Sequence, residues 1–144
     1  MSLDHANAMS FLFVYGTLLR PLGHPKHTYL AQYCHYICPG RFQGKMFDIG
    51  DYPGVIPSIQ REDSVQGEVY AIKDEALLLS KLDEYEGCSG HSPQPHEYQR
   101  EIHLIELPNG TSRSAWIYLY THDIALLKPI LTGDYLEYCN HRPQ

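Results

Sequence analysis

The sequence predicts a strand-rich α+β domain in which a small closed or nearly closed sheet packs against an amphipathic helix. Twelve Tyr and ten Pro among 144 residues favour strands and turns over a helical bundle. Residues 112–120 place Ala115, Ile117 and Leu119 on one face and Trp116, Tyr118 and Tyr120 on the other. Both faces are substantial, so this strand is expected to be covered on both sides, as in a barrel. Residues 74–87 carry leucines at helical spacing between an Asp and a Gly, which reads as one capped helix.

A chain of this length can bury a substantial core without disulfides or metals. The expected division is a flexible leader over residues 1–10 and a single domain over residues 11–140. Met1 to Ala8 is polar and unpatterned, and Met1-Ser2-Leu3 reads as a cloning remnant. A formal charge of −6 and the lack of any Lys/Arg run argue against a nucleic-acid partner. No apolar run approaches the roughly 18 residues that span a bilayer, and no signal peptide opens the chain. A soluble, cytoplasmic protein without a membrane partner is expected. Cys34, Cys38, Cys88 and Cys139 are too sparse for a disulfide scaffold, so free thiols are expected. His24, His27, His35 and Cys38 fall in one stretch, but without a CxxC or HExxH pattern they read as scattered side chains, and no metal site is expected.

The first element is the apolar run Phe11 to Tyr15, a buried strand that Gly16 ends. Thr17, Leu18, Leu19 and Arg20 follow, with Pro21 and Gly23 marking a loop. A Gly at the end of a buried strand can leave amide N–H groups facing open space, where they can hold a carboxylate or a developing oxyanion. An ordinary strand-terminating Gly fits the same residues. Pro25 to Ile37 is expected to be a short helix, with Leu30, Tyr33, Cys34 and Ile37 at helical spacing and Pro39-Gly40 breaking it. Arg41 to Ile49 alternates partly as a strand with Gly44 a candidate bulge, and Gly50 to Gly54 is turn chemistry. Val55 to Gln60 reads as an edge strand because of Pro57, and Val65 to Ile72 as a further strand.

Asp74 is the expected N-cap of the helix. Residues advance by about 100° on a helix, so Glu86 lies roughly 20° from Leu79 and roughly 40° from Leu82 and points inward with them. Glu84 falls on the opposite face and Asp83 at the edge of the stripe, so both are expected in solvent. An inward acid at a helix C-terminus, beside Gly87, is harder to ionise, as a general acid or base requires. A terminal Glu bent out to water is the plainer reading of the helix alone. The polar loop Cys88 to Glu97 follows, expected to border any pocket at Glu86, and a solvated connector fits it equally well. Tyr98 to Leu107 alternates as a long strand, and Pro108-Asn109-Gly110 signals a hairpin into Ser112 to Tyr120. Ile124 to Leu131 is expected to form a short helical turn, and Gly133-Asp134-Tyr135 a turn before a polar tail.

Taken in series, Phe13-Val14-Tyr15-Gly16-Thr17-Leu18, Phe47 to Gly54, Gly67-Glu68-Val69-Tyr70, Leu82 to Gly87 and Tyr98-Gln99-Arg100 resemble the γ-glutamylcyclotransferase-like family, which includes γ-glutamylamine cyclotransferases and AIG2-like proteins. The resemblance runs from about Phe11 to Tyr120. It implies a small mixed β-barrel with flanking helices and a pocket between the Tyr-Gly-Thr-Leu loop and a helix Glu. The family's catalytic Glu carries over to Glu86, the residue the helical geometry also turns inward. Its substrate-holding loop carries over to Tyr15, Gly16, Thr17 and Leu18, mostly through backbone groups. Tyr98 and Arg100 match the family's strand and are expected to shape the wall. The Cys88 to Glu97 loop is longer and richer in Pro and His than the family pattern.

The resemblance implies a cofactor-independent enzyme of acyltransferase or lyase type that turns a γ-glutamyl amine or γ-glutamyl amino acid into 5-oxoproline and the free amine. It leaves the choice of γ-glutamyl compound and the oligomeric state open. A non-catalytic module that binds a small metabolite on the same barrel is the main alternative. A second is an acyl-transfer or hydrolytic enzyme with Cys88 as nucleophile beside His91 or His96.

Overall fold

The computed structural model describes residues 10–141, so the expected leader lies outside the described residues except for Ser10, which opens the first strand. Strands β1 (Ser10–Val14), β2 (Cys34–Phe42), β5 (Val65–Ile72), β6 (Tyr98–Glu106) and β7 (Ser112–Tyr120) close a barrel in the order β1-β5-β2-β6-β7. The barrel is mixed: β1 meets β7 in parallel at Leu12 and Trp116, and its other neighbours are antiparallel. Strands β3 (Gly44–Asp48), β4 (Pro53–Pro57) and β8 (Lys128–Ile130) form a second sheet, ordered β4-β3-β8. Helices α1 (His27–Tyr33), α2 (Glu75–Tyr85) and α3 (Tyr135–Asn140) complete the chain.

The two-faced strand behaves as its residues require. On β7, Ala115, Ile117 and Leu119 are buried on one face and Tyr118 on the other. Core side chains from the barrel, such as Leu12 and Phe13, meet Leu30 of α1 and Leu78 and Leu82 of α2, all essentially without exposed surface. Each such leucine contributes about 1.5–3 kcal/mol on leaving water. The hairpin closes as the Pro-Asn-Gly signal demands: Leu107 N–H donates to Thr111 O at 2.8 Å, and Gly110 takes a φ of 85° that favours glycine. Pro57 ends β4 on the edge of the second sheet.

Three elements depart from expectation. The helix expected over Pro25 to Ile37 stops at Tyr33, and Cys34 to Phe42 is a strand. Leu30, Tyr33, Cys34 and Ile37 fit helical spacing, but Cys34, Gly40 and Phe42 also alternate inward with period two, and pairing with β5 decides the outcome. Pro39 is tolerated there because β2 meets β6 only at Arg41 and Glu106, which leaves most of that edge without a ladder to interrupt. Gly44 is not a bulge; it opens β3, where the chain leaves the barrel for the second sheet. Residues Lys128–Ile130, expected in a helical turn, instead pair with Asp48, Phe47 and Met46 of β3. Asp134 then caps α3, its carboxylate accepting from Glu137 N–H.

Candidate active site

Where β1 ends, the chain turns at Gly16, closed by Leu19 N–H donating to Gly16 O at 3.0 Å. The turn packs tightly, for a Cβ on Gly16 would lie 2.8 Å from the ring of Pro53. The amides of Thr17 and Leu18 donate to no acceptor among the described residues. Beneath this loop is a cavity of about 380 Å³ whose wall includes Tyr15, Gly16, Thr17, Leu18 and Glu86. All five sequence-predicted site residues are therefore brought together.

Tyrosines line the remaining wall beside apolar residues such as Leu12, Phe13 and Leu82 and the imidazole of His24, and each tyrosine has its hydroxyl engaged. Tyr15 donates to Tyr118 O at 2.5 Å, and Tyr98 donates to Pro53 O at 2.6 Å. Thr17 and Tyr85 share a hydroxyl hydrogen bond of 2.9 Å, tying the loop to the last turn of α2. Tyr52 donates to Glu97 Oε1 at 2.6 Å. Such satisfied hydroxyls hold the walls in fixed positions. Among the described residues the wall contains the acids Asp51, Glu86 and Glu97 but neither Lys nor Arg.

Glu86 sits immediately after α2 in a helical conformation, its own N–H donating to Leu82 O at 2.8 Å. Its side chain is half-buried and lines the cavity, and among the described residues its carboxylate has neither a hydrogen bond nor an ion pair. Burial, then the charges of Glu97 and Asp83, push its pKa from an ordinary 4.5 up to about 8. Asp74 caps the other end of the helix through Leu77 N–H, as expected.

Asp83 departs from expectation. Rather than facing solvent, it receives Arg100 in a bidentate pair, with Nε at 2.7 Å and the second nitrogen at 3.0 Å, and Tyr118 OH at 2.7 Å. A helical projection cannot show this, because Arg100 and Tyr118 come from the facing strands β6 and β7. Arg100 thus anchors the end of α2, while Tyr98, two residues earlier, lines the cavity directly. Glu84 is exposed, as expected.

The Cys88 alternative finds no oriented base. The Cys88 thiol meets Asp83 Oδ1 at 3.9 Å, and burial with the charges of Asp83 and Glu86 pushes it up to about 11. A nucleophilic thiol needs the opposite. His96 turns to Ser92 O, and His91 is exposed. His24 and His27 turn to Tyr85 and Tyr70 respectively. Among the described residues no three His, Cys, Asp or Glu side chains group as metal ligands, and no helix is long and apolar enough to cross a membrane.

Residues that sequence reasoning did not assign to the site include Tyr52, Glu97 and Tyr118. Tyr52 lies within the turn quoted in the family resemblance, and Glu97 at the end of the loop expected to border the pocket. Neither position carried a periodic signal of its own.

Residues 12–137 match the family described as gamma-glutamyl cyclotransferase, AIG2-like. The chain is 33% identical over 126 residues to the gamma-glutamylcyclotransferase family protein YtfP of Escherichia coli K12, covering 88% of this chain and 96% of that one. The crystal structure of YkqA from Bacillus subtilis is similar at 31% identity and a TM-score of 0.67, with 90% of this chain matching 40% of YkqA. This chain thus spans well under half of YkqA. An AIG2-like protein from Mus musculus shares the fold, with a TM-score of 0.66 at 23% identity over 88% of each chain.

Proposed function

Because the chain belongs to the gamma-glutamyl cyclotransferase, AIG2-like family, we propose that it converts a γ-glutamyl amine or γ-glutamyl amino acid to 5-oxoproline and the free amine, with Glu86 as general acid and base. The observation that carries this reading is that Glu86, whose carboxylate has no partner among the described residues, lines one cavity with Thr17 and Leu18, whose amides donate to no acceptor among those residues.

The α-amino nitrogen of the substrate bonds to its own γ-carbonyl carbon, and the bond from that carbon to the leaving nitrogen breaks. The amine arrives as an ammonium ion, so a base must take a proton, and the departing nitrogen must gain one. Glu86 does both, with a pKa near the working pH where a carboxyl can give and take protons. A bound ammonium ion lowers that pKa by its opposite charge, producing the carboxylate where the base is needed.

With neither Lys nor Arg among the described residues of the wall, the loop amides take the substrate's carboxylate or carbonyl oxygen. The tyrosine walls hold the γ-glutamyl arm folded, and well-oriented intramolecular attack contributes about 7–11 kcal/mol. The chemistry as written calls for no cofactor.

The test is incubation with a panel of γ-glutamyl amines and amino acids, reading 5-oxoproline by mass spectrometry. Product from at least one member is expected. Saturable binding without product anywhere would establish a binding module instead.

A further inference from the structure

Glu68 is a buried acid, 8% exposed, on β5, where it pairs in register with Val14, the last residue of β1. Its carboxylate does not face the cavity. Oε1 accepts Arg20 N–H at 3.0 Å and Tyr70 OH at 3.0 Å, and Oε2 accepts Arg20 Nε at 3.3 Å. The Arg20 guanidinium lies flat over Tyr36, 3.5 Å from the ring centre, and His27 Nε2 meets Tyr70 OH at 3.1 Å. Gly67 lets the strand approach closely, since a Cβ there would lie 2.3 Å from Val14 O.

Glu68 meets both ends of one short segment, pairing along the strand with Val14 and holding Arg20 through its carboxylate. The loop leaves β1 beside Glu68, turns through Gly16, Thr17 and Leu18, and returns to Glu68 at Arg20, whose backbone N–H is the group held. Fixing Arg20 N and the Leu19 to Gly16 hydrogen bond leaves the intervening amides little freedom to rotate. The Arg20 side chain is 48% exposed, and an ion pair with one solvated partner adds little to stability, so stability alone is a weak reason for a charge here.

We infer that Glu68 is a positioning residue: it clamps the Gly16 to Arg20 loop at its far end and so aims the Thr17 and Leu18 amides into the cavity. The inference rests on the proposed reading that those amides hold the substrate. Glu68 acts through the loop and touches no reacting atom.

The test compares Glu68→Leu, which removes every acceptor, with Glu68→Gln, which keeps one oxygen for Arg20 N–H. Loss of kcat/KM is expected to be about 100-fold for Leu and about tenfold for Gln, as for a small displacement of a binding group. The midpoint of the pH profile should not move in either, because Glu86 is untouched. Amide resonances of Thr17 and Leu18 should shift in both. If a folded variant keeps kcat/KM within twofold of the parent with those resonances in place, the clamp is overturned. If the Leu variant does not fold, the Gln variant decides by the same criteria. A parent protein without turnover on any γ-glutamyl compound overturns the functional reading instead, while the resonances still test the clamp.

Discussion

Asp83 and Glu86 stand one turn apart at the end of the same helix, yet their environments are opposite. Asp83 receives a bidentate arginine and a tyrosine hydroxyl from the barrel, whereas Glu86 receives no partner among the described residues and faces a cavity. The paired acid fastens the helix end to the sheet, and its negative charge adds to the burial that keeps Glu86 hard to ionise. Two carboxylates one turn apart are thus given opposite environments by what the facing strands supply.

The largest effect expected from breaking this comparison is at Glu86. Glu86→Gln keeps the shape and removes the titrating group, and should lower 5-oxoproline formation about 10²–10⁴-fold. Retention of the parent rate on a responsive substrate would transfer the role elsewhere. Next comes Asp83→Asn, which leaves Arg100 half-buried without its carboxylate. A loss of about 1–3 kcal/mol in denaturant unfolding is expected, below the cost of a fully buried pair. An unchanged unfolding midpoint would show that the pair does not anchor the helix.

Glu86 also carries a stability signature. Its folded pKa of about 8 lies above an ordinary 4.5, so the native state holds a proton that the unfolded chain has released between those values. Its contribution is therefore fully present below about 4.5 and lost as pH rises to about 8, by at most about 1.4 kcal/mol per pH unit. Gln cannot ionise. Thermal unfolding should accordingly show Glu86→Gln gaining on the parent from pH 5 to pH 8, and a constant gap would mean an ordinary carboxyl. The smallest effect expected is from Glu97→Gln. It retains an acceptor for Tyr52 but removes the larger of the two charges acting on Glu86. The kcat/KM midpoint should move to lower pH, further than in Asp83→Asn, with little change in unfolding; an upward movement would contradict the charge assignment.

Much of the barrel was legible because alternation, the Pro-Asn-Gly hairpin and the Asp74 cap are local signals that the tertiary structure did not override. Strand β2 was hidden because Cys34 fits both the helical spacing of Leu30, Tyr33 and Ile37 and the inward alternation with Gly40 and Phe42, and only pairing with β5 chooses between them. Strand β8 has three residues and exists by pairing with β3. In the site, helical geometry turned Glu86 toward the leucines but left a Glu bent out to water as the plainer reading, and the family motif reversed that order. The partnering of Asp83 could not be read there, because it depends on Arg100 and Tyr118, and the same holds for Glu97, which reaches the cavity through the end of a long loop.

A Glu86 carboxyl in this cavity, with no cation beside it among the described residues, is expected to exchange protons near neutral pH. Its side-chain carboxyl carbon, assigned by the signal missing from Glu86→Gln, can be followed by NMR through a pH titration of the ligand-free protein. The account predicts a midpoint near 8. A midpoint near the ordinary 4.5 would contradict it.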